Sequence, residues 1–136
     1  MKLEVVADAS GLPLGMAAAA ADASEPGLLA FALNAVPVEV PPGTPILLDK
    51  AYDSDPLRDE LQGAGYEPVA PHRRNRVKPG RNDGRRFRRY RRRYRIERTN
   101  AWLHCYRGVA VRWSRDAFMY EGLVYISFIH MALQRF

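Results

Sequence analysis

A strongly basic belt at residues 73–98 constrains this chain more than any other feature of its sequence. The belt holds 14 of the 21 Lys and Arg residues but only two of the 15 acids, Asp83 and Glu97, for a net charge of +12. The other 110 residues carry 7 basic and 13 acidic side chains, for a net charge of −6. Such a belt is the electrostatic footprint of a polyanion, which makes nucleic acid the leading partner. A solvated arginine-rich helix face is the alternative.

Length and composition exclude several classes of protein. A chain of 136 residues with 47% hydrophobic residues can bury one core and predicts one folded domain. The longest apolar run, Met16–Ala21, is far shorter than the roughly 20 residues of a membrane span, and an acid near the N-terminus argues against a secretory signal. We therefore expect a cytoplasmic protein without a membrane segment. A single cysteine, Cys105, supports neither disulfides nor a cysteine-based zinc site.

The first third of the chain predicts a hairpin followed by a helix and a strand. Two extended segments, residues 2–7 and 12–21, flank a turn at residues 8–11, although the alanines at 17–21 also suit a helix. Ser24, Glu25 and Pro26 begin a helix that ends before Pro37. After a turn at residues 41–43, the apolar run Pro45–Leu48 predicts a strand buried on both faces.

The remainder predicts further helices and one more strand. A helix begins at residues 53–56 and closes at Gly63 and Gly65, a short strand covers residues 66–71, and residues 72–84 form a mobile basic loop. One long helix is expected from Arg85 to Tyr106 and a last helix from Asp116 to Leu133. The order predicts an α/β fold with mixed strand directions.

Two acids are candidates for chemistry. Asp49 follows the buried strand, where α/β sheets place their sites, but by itself this position favours a turn or cap role for the next helix. At about 100° per residue, Tyr90, Arg93 and His104 share a helix face with Glu97. An ordinary i,i+4 pair between Arg93 and Glu97 is the alternative.

Trp102, Trp113 and Phe118 follow core-like patterns, which disfavours an RNA-binding protein with exposed stacking aromatics.

The segments Leu47–Ser54 and Tyr94–Leu103 closely resemble the DDE transposases of bacterial insertion sequences, particularly insertion-sequence family five. The spacing Tyr90-x2-Arg93-x3-Glu97-x6-His104 is similar to that group's Tyr, Arg and Glu motif, with His104 where the motif has lysine. Gly11–Leu14 looks like the family's turn between its second and third strands. The resemblance spans nearly the whole chain.

The resemblance implies a ribonuclease H-like fold in which three carboxylates bind two Mg²⁺ or Mn²⁺ ions and cleave and transfer DNA strands. It implies Asp49 as the second metal ligand and Glu97 as the third, with Arg93 orienting Glu97 or a phosphate and Tyr90 near the scissile strand. His104 stands at a terminal DNA contact. The arginines implied to grip the DNA backbone are Arg73, Arg74, Arg76, Arg81, Arg85 and Arg86.

The strand that carries the family's first aspartate precedes the strand that opens this sequence. Asp8 is the early acid that could replace it, and its place in a turn favours a turn role. Residues 1–136 are therefore expected to form one N-terminally truncated catalytic domain, with little activity alone and two ions bound only in the complete enzyme. A non-catalytic DNA-binding remnant is the alternative. Expected partners are transposon ends and target DNA near the nucleoid, the product of an upstream reading frame, and a second copy of the chain.

Overall fold

The computed structural model describes residues 1–135, which form four strands and eight helical segments. The strands are β1 (Lys2–Ala7), β2 (Pro13–Ala19), β3 (Thr44–Leu47) and β4 (Tyr66–Val69). The α-helices are α1 (Glu25–Asn34), α2 (Asp55–Gly63), α3 (Gly84–Phe87), α4 (Tyr94–Leu103), α5 (Arg107–Ala110) and α6 (Ala117–Leu133), and two 3₁₀ helices cover Lys50–Tyr52 and Arg88–Arg93. The α/β expectation with mixed strand directions is confirmed.

The chain divides into two compact units. Residues 1–37 together with residues from 94 onward form one, which we call the hairpin unit. Residues 38–93 form the other, which we call the parallel-sheet unit. Each unit contains a two-stranded sheet, antiparallel β1–β2 in the first and parallel β3–β4 in the second.

The hairpin forms as predicted, and Asp8 closes its turn. The Oδ1 atom of Asp8 accepts hydrogen bonds from the backbone N–H groups of Ser10 and Leu12, both at 2.8 Å. Gly11 has φ +86°, a value that favours glycine. The turn role of Asp8 is therefore confirmed, and the alanine run begins in strand β2, which ends at Ala19, rather than forming a helix.

Helix α1 packs closely on β2. It begins after Ser24 with Pro26 in its first turn, as expected, and buries Leu28, Leu29 and Ala32. A Cβ atom built on Gly15 of β2 would lie 2.7 Å from the carbonyl oxygen of Ala32 and 3.0 Å from the backbone nitrogen of Val36. Glycine at this position is what allows the helix to approach the sheet.

The core of the hairpin unit brings β2 together with the C-terminal helices. Its buried side chains are Met16, Leu103, Val109, Tyr120, Val124, Phe128 and Met131. Helix α6 begins as predicted, because the Asp116 Oδ1 atom accepts the N–H of Phe118 at 3.0 Å. Within residues 1–135, no helix has both the length and the apolar character needed to cross a bilayer.

In the parallel-sheet unit, β3 and β4 pair with Ile46 opposite Pro68, and α2 buries Leu57 and Leu61. The predicted helix start, the closing glycines and the strand at residues 66–69 are confirmed. The prediction that the strand at 45–48 is buried on both faces is wrong for its residues 45–47. Every residue of β3 is only partly buried, because β4 is its one strand partner among the described residues.

The single long helix predicted from Arg85 to Tyr106 is also wrong. Residues 84–103 form α3, then the 3₁₀ helix Arg88–Arg93, then α4. Five of the six residues in that 3₁₀ helix are arginines, and like charges at i,i+3 and i,i+4 destabilise a regular helix. Arg89 and Arg93 instead reach Glu67 and Asp49 within the parallel-sheet unit. The uniform 100° rotation used to place Tyr90, Arg93, Glu97 and His104 on one face therefore does not apply.

Three aromatic residues assigned to the core are exposed instead. The exposed fractions of Trp102, Trp113 and Phe118 are 43%, 68% and 78%. Arg98 stacks over the Trp102 ring at 5.1 Å and Arg107 over the Trp113 ring at 5.2 Å. Phe118 lies on the face of α6 opposite its buried residues, and Trp113 lies between α5 and α6 outside any regular element. Core burial is therefore no longer an argument against RNA binding.

We expect Gly15→Ala to destabilise the hairpin unit by about 1–3 kcal/mol, because the added methyl group meets backbone atoms that cannot move independently. Urea unfolding followed by circular dichroism measures the change. Gly63→Ala is the matched control, since a Cβ atom there meets nothing within 4 Å in the described residues. We expect its free energy of unfolding to stay level or rise slightly. Equal effects of the two substitutions would contradict the close approach of α1 to β2.

Candidate catalytic site

Asp49 lies directly after β3, where the chain turns into the 3₁₀ helix Lys50–Tyr52. Its Oδ1 atom accepts the backbone N–H of Lys50 at 2.6 Å, so the carboxylate caps this turn, as one of the two sequence interpretations expected. Its Oδ2 atom lies 3.2 Å from Nη2 of Arg93. The carboxylate is half exposed. Asp49 therefore combines a capping role with an ion pair at an accessible position.

Tyr90 and Phe87 hold Arg93 against Asp49. The Nη1 atom of Arg93 donates to the Tyr90 hydroxyl at 2.9 Å, and the guanidinium carbon lies 5.7 Å from the Tyr90 ring centre. The Tyr90 ring stacks on Phe87 at 5.2 Å between ring centres, with 7° between their planes. Three of the four predicted catalytic residues, Asp49, Tyr90 and Arg93, thus meet within the parallel-sheet unit.

Glu97 belongs to the hairpin unit. It lies exposed in the first turn of α4. The next turn of that helix anchors to the hairpin, because Thr99 Oγ1 donates to the carbonyl of Gly11 at 2.6 Å. Among residues 1–135, no three His, Cys, Asp or Glu side chains are grouped as a metal site would require. The described residues therefore do not assemble a complete metal centre.

The arginines predicted to grip DNA divide into two sets. Arg76 binds Asp53 and Asp55, and Arg81 binds Asp59 at 2.7 Å. Arg73 also donates to the carbonyls of Lys50 and Ala51, and Arg86 forms an ion pair with Glu67 at 2.8 Å. The exposed side chains of Arg74, Arg85 and His104 make no hydrogen bond or ion pair with the described residues. The same is true of Arg88, Arg91 and Arg92, which sequence reasoning did not single out.

Comparison with known proteins identifies the family. The model of the transposase DDE domain family matches residues 1–131. The chain belongs to the DDE transposase family. It is also 32% identical over 123 residues to a putative transposase for insertion sequence element IS402 from Burkholderia cepacia. The aligned region covers 85% of this chain and 54% of that protein. The chain thus spans about half the length of this relative, and no solved structure matches it.

A buried carboxylate that sequence reasoning took only as part of a helix start organises the basic loop of this transposase domain. The side chain of Asp53 is 1% exposed. Its Oδ1 atom binds Arg58 at 3.1 Å, Arg76 at 3.2 Å and His72 Nδ1 at 3.0 Å, and its Oδ2 atom accepts the backbone N–H of Arg73 at 2.8 Å. The predicted loop is present, but these contacts tie three of its first five residues, His72, Arg73 and Arg76, to one carboxylate.

Hydrogen bonds indicate the tautomer of a neutral His72 and lower the pKa of Asp53. His72 Nε2 accepts the backbone N–H of Arg81 at 2.9 Å, so a neutral His72 ring carries its proton on Nδ1 and donates it to Asp53. Burial by itself would raise the pKa of the Asp53 carboxyl. The hydrogen bonds from Arg73, His72 and Arg58 outweigh burial and lower that pKa from 3.8 to about 2. Asp53 therefore stays ionised at neutral pH.

The only sequence signal for this cluster is the acidic run Asp53–Asp55 followed by an arginine-rich loop about 20 residues later. Nothing in that spacing distinguishes Asp53 from Asp55, because the parallel pairing of β3 and β4 is what brings residues 53 and 72 together.

We expect Asp53→Asn to lower the free energy of unfolding by about 2 kcal/mol at pH 7, the equivalent of the lowered pKa. Because the folded pKa lies below the unfolded one, this stabilisation is complete above about pH 4 and is lost as the pH falls towards 2. The difference in free energy of unfolding between Asp53→Asn and wild type should therefore disappear as the pH falls towards 2. Urea unfolding at several pH values measures it.

Asp59→Asn is the control for this experiment, because within residues 1–135 the ion-pair partner of its exposed carboxylate is Arg81, and surface ion pairs contribute little. A difference between Asp53→Asn and wild type that stays constant down to pH 2.5 would show that the charge of Asp53 is not what stabilises the loop.

Proposed function

We propose that this chain is part of the catalytic domain of a DDE transposase and takes part in DNA strand cleavage and transfer once the domain is complete. The observation that carries the proposal is the Asp49–Arg93–Tyr90 cluster at the carboxyl end of β3. A half-exposed carboxylate that follows a strand and is held beside a guanidinium supports this role for Asp49. Membership of the family supports the assignment.

Within this proposal, Asp49 and Glu97 supply two of the three carboxylates, and Tyr90 positions Arg93. DDE transposase domains generally use divalent metal ions. Carboxylate oxygens are the ligands that Mg²⁺ or Mn²⁺ prefers, so the donor chemistry of Asp49 is suitable. However, its Oδ2 atom is engaged by Arg93, and the described residues contain no group of three ligands. The residues present do not fit a complete metal centre, and we infer that a further ligand comes from outside this chain.

The fold supports the same inference, that part of the complete domain comes from outside this chain. We propose that residues 1–136 are one truncated ribonuclease H-like domain whose first strand is supplied by the rest of the transposase. Two-stranded sheets are marginal on their own, and both sheets within residues 1–135 have only two strands. The curated relative supports this proposal, because nearly half of its length lies outside the match.

DNA binding is proposed for the exposed arginines without internal partners: Arg74, Arg85, Arg88, Arg91 and Arg92. A guanidinium that already binds a buried carboxylate, as Arg76 does, would have to give up that contact before binding a phosphate. Free exposed arginines bind phosphate without such a loss and release counterions from the DNA. This separates a binding subset from a structural subset within the basic belt.

The double variant Arg88→Ala with Arg92→Ala should bind a short DNA duplex several-fold more weakly. We expect the slope of log affinity against log salt, measured by fluorescence anisotropy from about 50 to 200 mM salt, to flatten by roughly two. Arg107→Ala with Arg115→Ala removes the same charge from exposed positions outside the belt and is the control. Equal losses in both double variants would indicate a general charge effect, against a defined binding subset.

The alternative function is a non-catalytic DNA-binding remnant, and a cleavage assay separates it from the main proposal. We expect the purified chain with Mg²⁺ or Mn²⁺ to bind supercoiled plasmid without nicking it, because one carboxylate ligand is missing. Cleavage by this chain alone that disappears in Asp49→Asn and Glu97→Gln would refute the need for an outside ligand while confirming both residues as catalytic. In a completed transposase, loss of cleavage with unchanged DNA binding in Asp49→Asn would exclude the remnant interpretation.

A further inference from the structure

Glu67 is an acid on β4 that lies outside the Asp49–Arg93–Tyr90 cluster. Its side chain is 17% exposed, and its two carboxylate oxygens pair with different arginines. The Oε1 atom lies 2.8 Å from Nε of Arg86, and the Oε2 atom lies 3.4 Å from Nη1 of Arg89. Because Arg86 belongs to α3 and Arg89 to the second 3₁₀ helix, one mostly buried carboxylate connects β4 to two successive helical segments.

The two arginines bound by this carboxylate each precede an aromatic residue that supports Arg93. Arg86 comes directly before Phe87, and Arg89 comes directly before Tyr90. The two aromatic rings stack with 5.2 Å between their centres, and the Tyr90 hydroxyl accepts a hydrogen bond from Arg93 at 2.9 Å. Both ion pairs therefore restrain the backbone that carries the aromatic support of Arg93.

Glu67 and Asp49 hold the second 3₁₀ helix at two separate points. Glu67 lies opposite Pro45 in the register of β3 with β4, and Asp49 follows Pro45 by four residues, or roughly 13 Å of extended backbone. Arg89 and Arg93, which pair with these two acids, are also four residues apart, or about 8 Å along a 3₁₀ helix. Long arginine side chains can span the difference, so the two attachments fix both the position and the direction of this helix.

The charge of the segment explains why a second attachment is needed. Seven of the nine residues from 85 to 93 are arginines, and like charges on neighbouring helical turns repel one another. The ion pair of Arg93 with Asp49 involves a half-exposed carboxylate, and exposed ion pairs contribute little. Glu67 is less exposed and neutralises two guanidinium groups at once, so it is better placed to hold the segment against the parallel sheet.

We propose that Glu67 is a positioning residue for the candidate catalytic cluster, which holds Arg93 beside Asp49 by binding Arg86 and Arg89. The importance of Arg93 for DNA strand cleavage rests on the proposed function. The positioning itself is a property of this chain alone and can be tested without catalysis, so failure of one proposal is distinguishable from failure of the other.

The reactivity of single arginines towards phenylglyoxal measures this positioning, with top-down mass spectrometry locating each modified residue. A guanidinium that is held in an ion pair and a hydrogen bond reacts slowly. We expect Glu67→Gln to raise the rate of modification at Arg93 at least threefold. Glu67→Asp keeps the negative charge and should recover most of the protection. Asp59→Asn removes an exposed partner of Arg81 in the same unit and should leave Arg93 at its wild-type rate.

Arg76 provides an internal control for general loss of structure. Its side chain is 11% exposed and pairs with Asp53 and Asp55 in the same unit. We expect its rate of modification to stay at the wild-type level in Glu67→Gln. Equal acceleration at Arg76 and Arg93 would show that Glu67 acts through the stability of the whole unit, which would overturn the proposal. An unchanged rate at Arg93 in Glu67→Gln would overturn it as well.

Substitution of the arginines tests the same contacts from the other side. Arg86→Gln with Arg89→Gln removes both partners of the carboxylate and should expose Arg93 as strongly as loss of the carboxylate does. Combining the two changes should add little, because they remove the same interaction. Arg88→Gln with Arg92→Gln removes equal charge from exposed positions of the segment and should leave Arg93 protected. Equal exposure of Arg93 in both double variants would indicate a general charge effect and contradict the proposal.

Discussion

The parallel-sheet unit depends on the ion pairs and hydrogen bonds of the buried Asp53 carboxylate. This carboxylate gathers Arg58, His72 and Arg76, together with the backbone N–H of Arg73, so that one negative charge organises the start of a very basic segment. Without it, the positive charges at residues 73–81 would repel one another, and Arg58 would be buried without its ionic partner. Breaking a buried ion pair in this way is strongly destabilising. The loop that follows β4 therefore has a defined path although it has no regular secondary structure.

Ion pairing with acidic side chains divides the arginines of the belt into two sets. Asp53, Asp55, Asp59 and Glu67 take up a structural set of guanidinium groups, and Asp49 takes up Arg93. The exposed arginines that remain make no ion pair within the described residues. An acidic body thus positions part of its basic belt and leaves the rest available for a polyanion, which is what a DNA-handling domain of the transposase family would need.

Much of the local structure was predictable from the sequence. The hairpin, α1, α2, β4 and α6 all lie close to their predicted positions, because Gly, Pro, Ser and Asp mark turns and caps by short-range chemistry. The segment after Arg85 was not predictable in this way, since contacts of Arg89 and Arg93 with distant carboxylates compete with helix formation. Phe118 was misplaced for a different reason. Helical periodicity shows that a face is apolar, but on a helix that is apolar all round it does not show which face is buried.

The sequence by itself determined the family and the basic belt and singled out Asp49 and Glu97 as candidate acids, because residue types at fixed spacings along the chain carry that information. Tertiary structure decided which side chains act together. It joined Asp49 to Arg93 and Tyr90, and Asp53 to His72 and Arg76, residues that lie between 19 and 44 positions apart. The physical reason is that ion pairs and burial depend on distance in space, which the parallel pairing of β3 with β4 and the break in the basic helix establish.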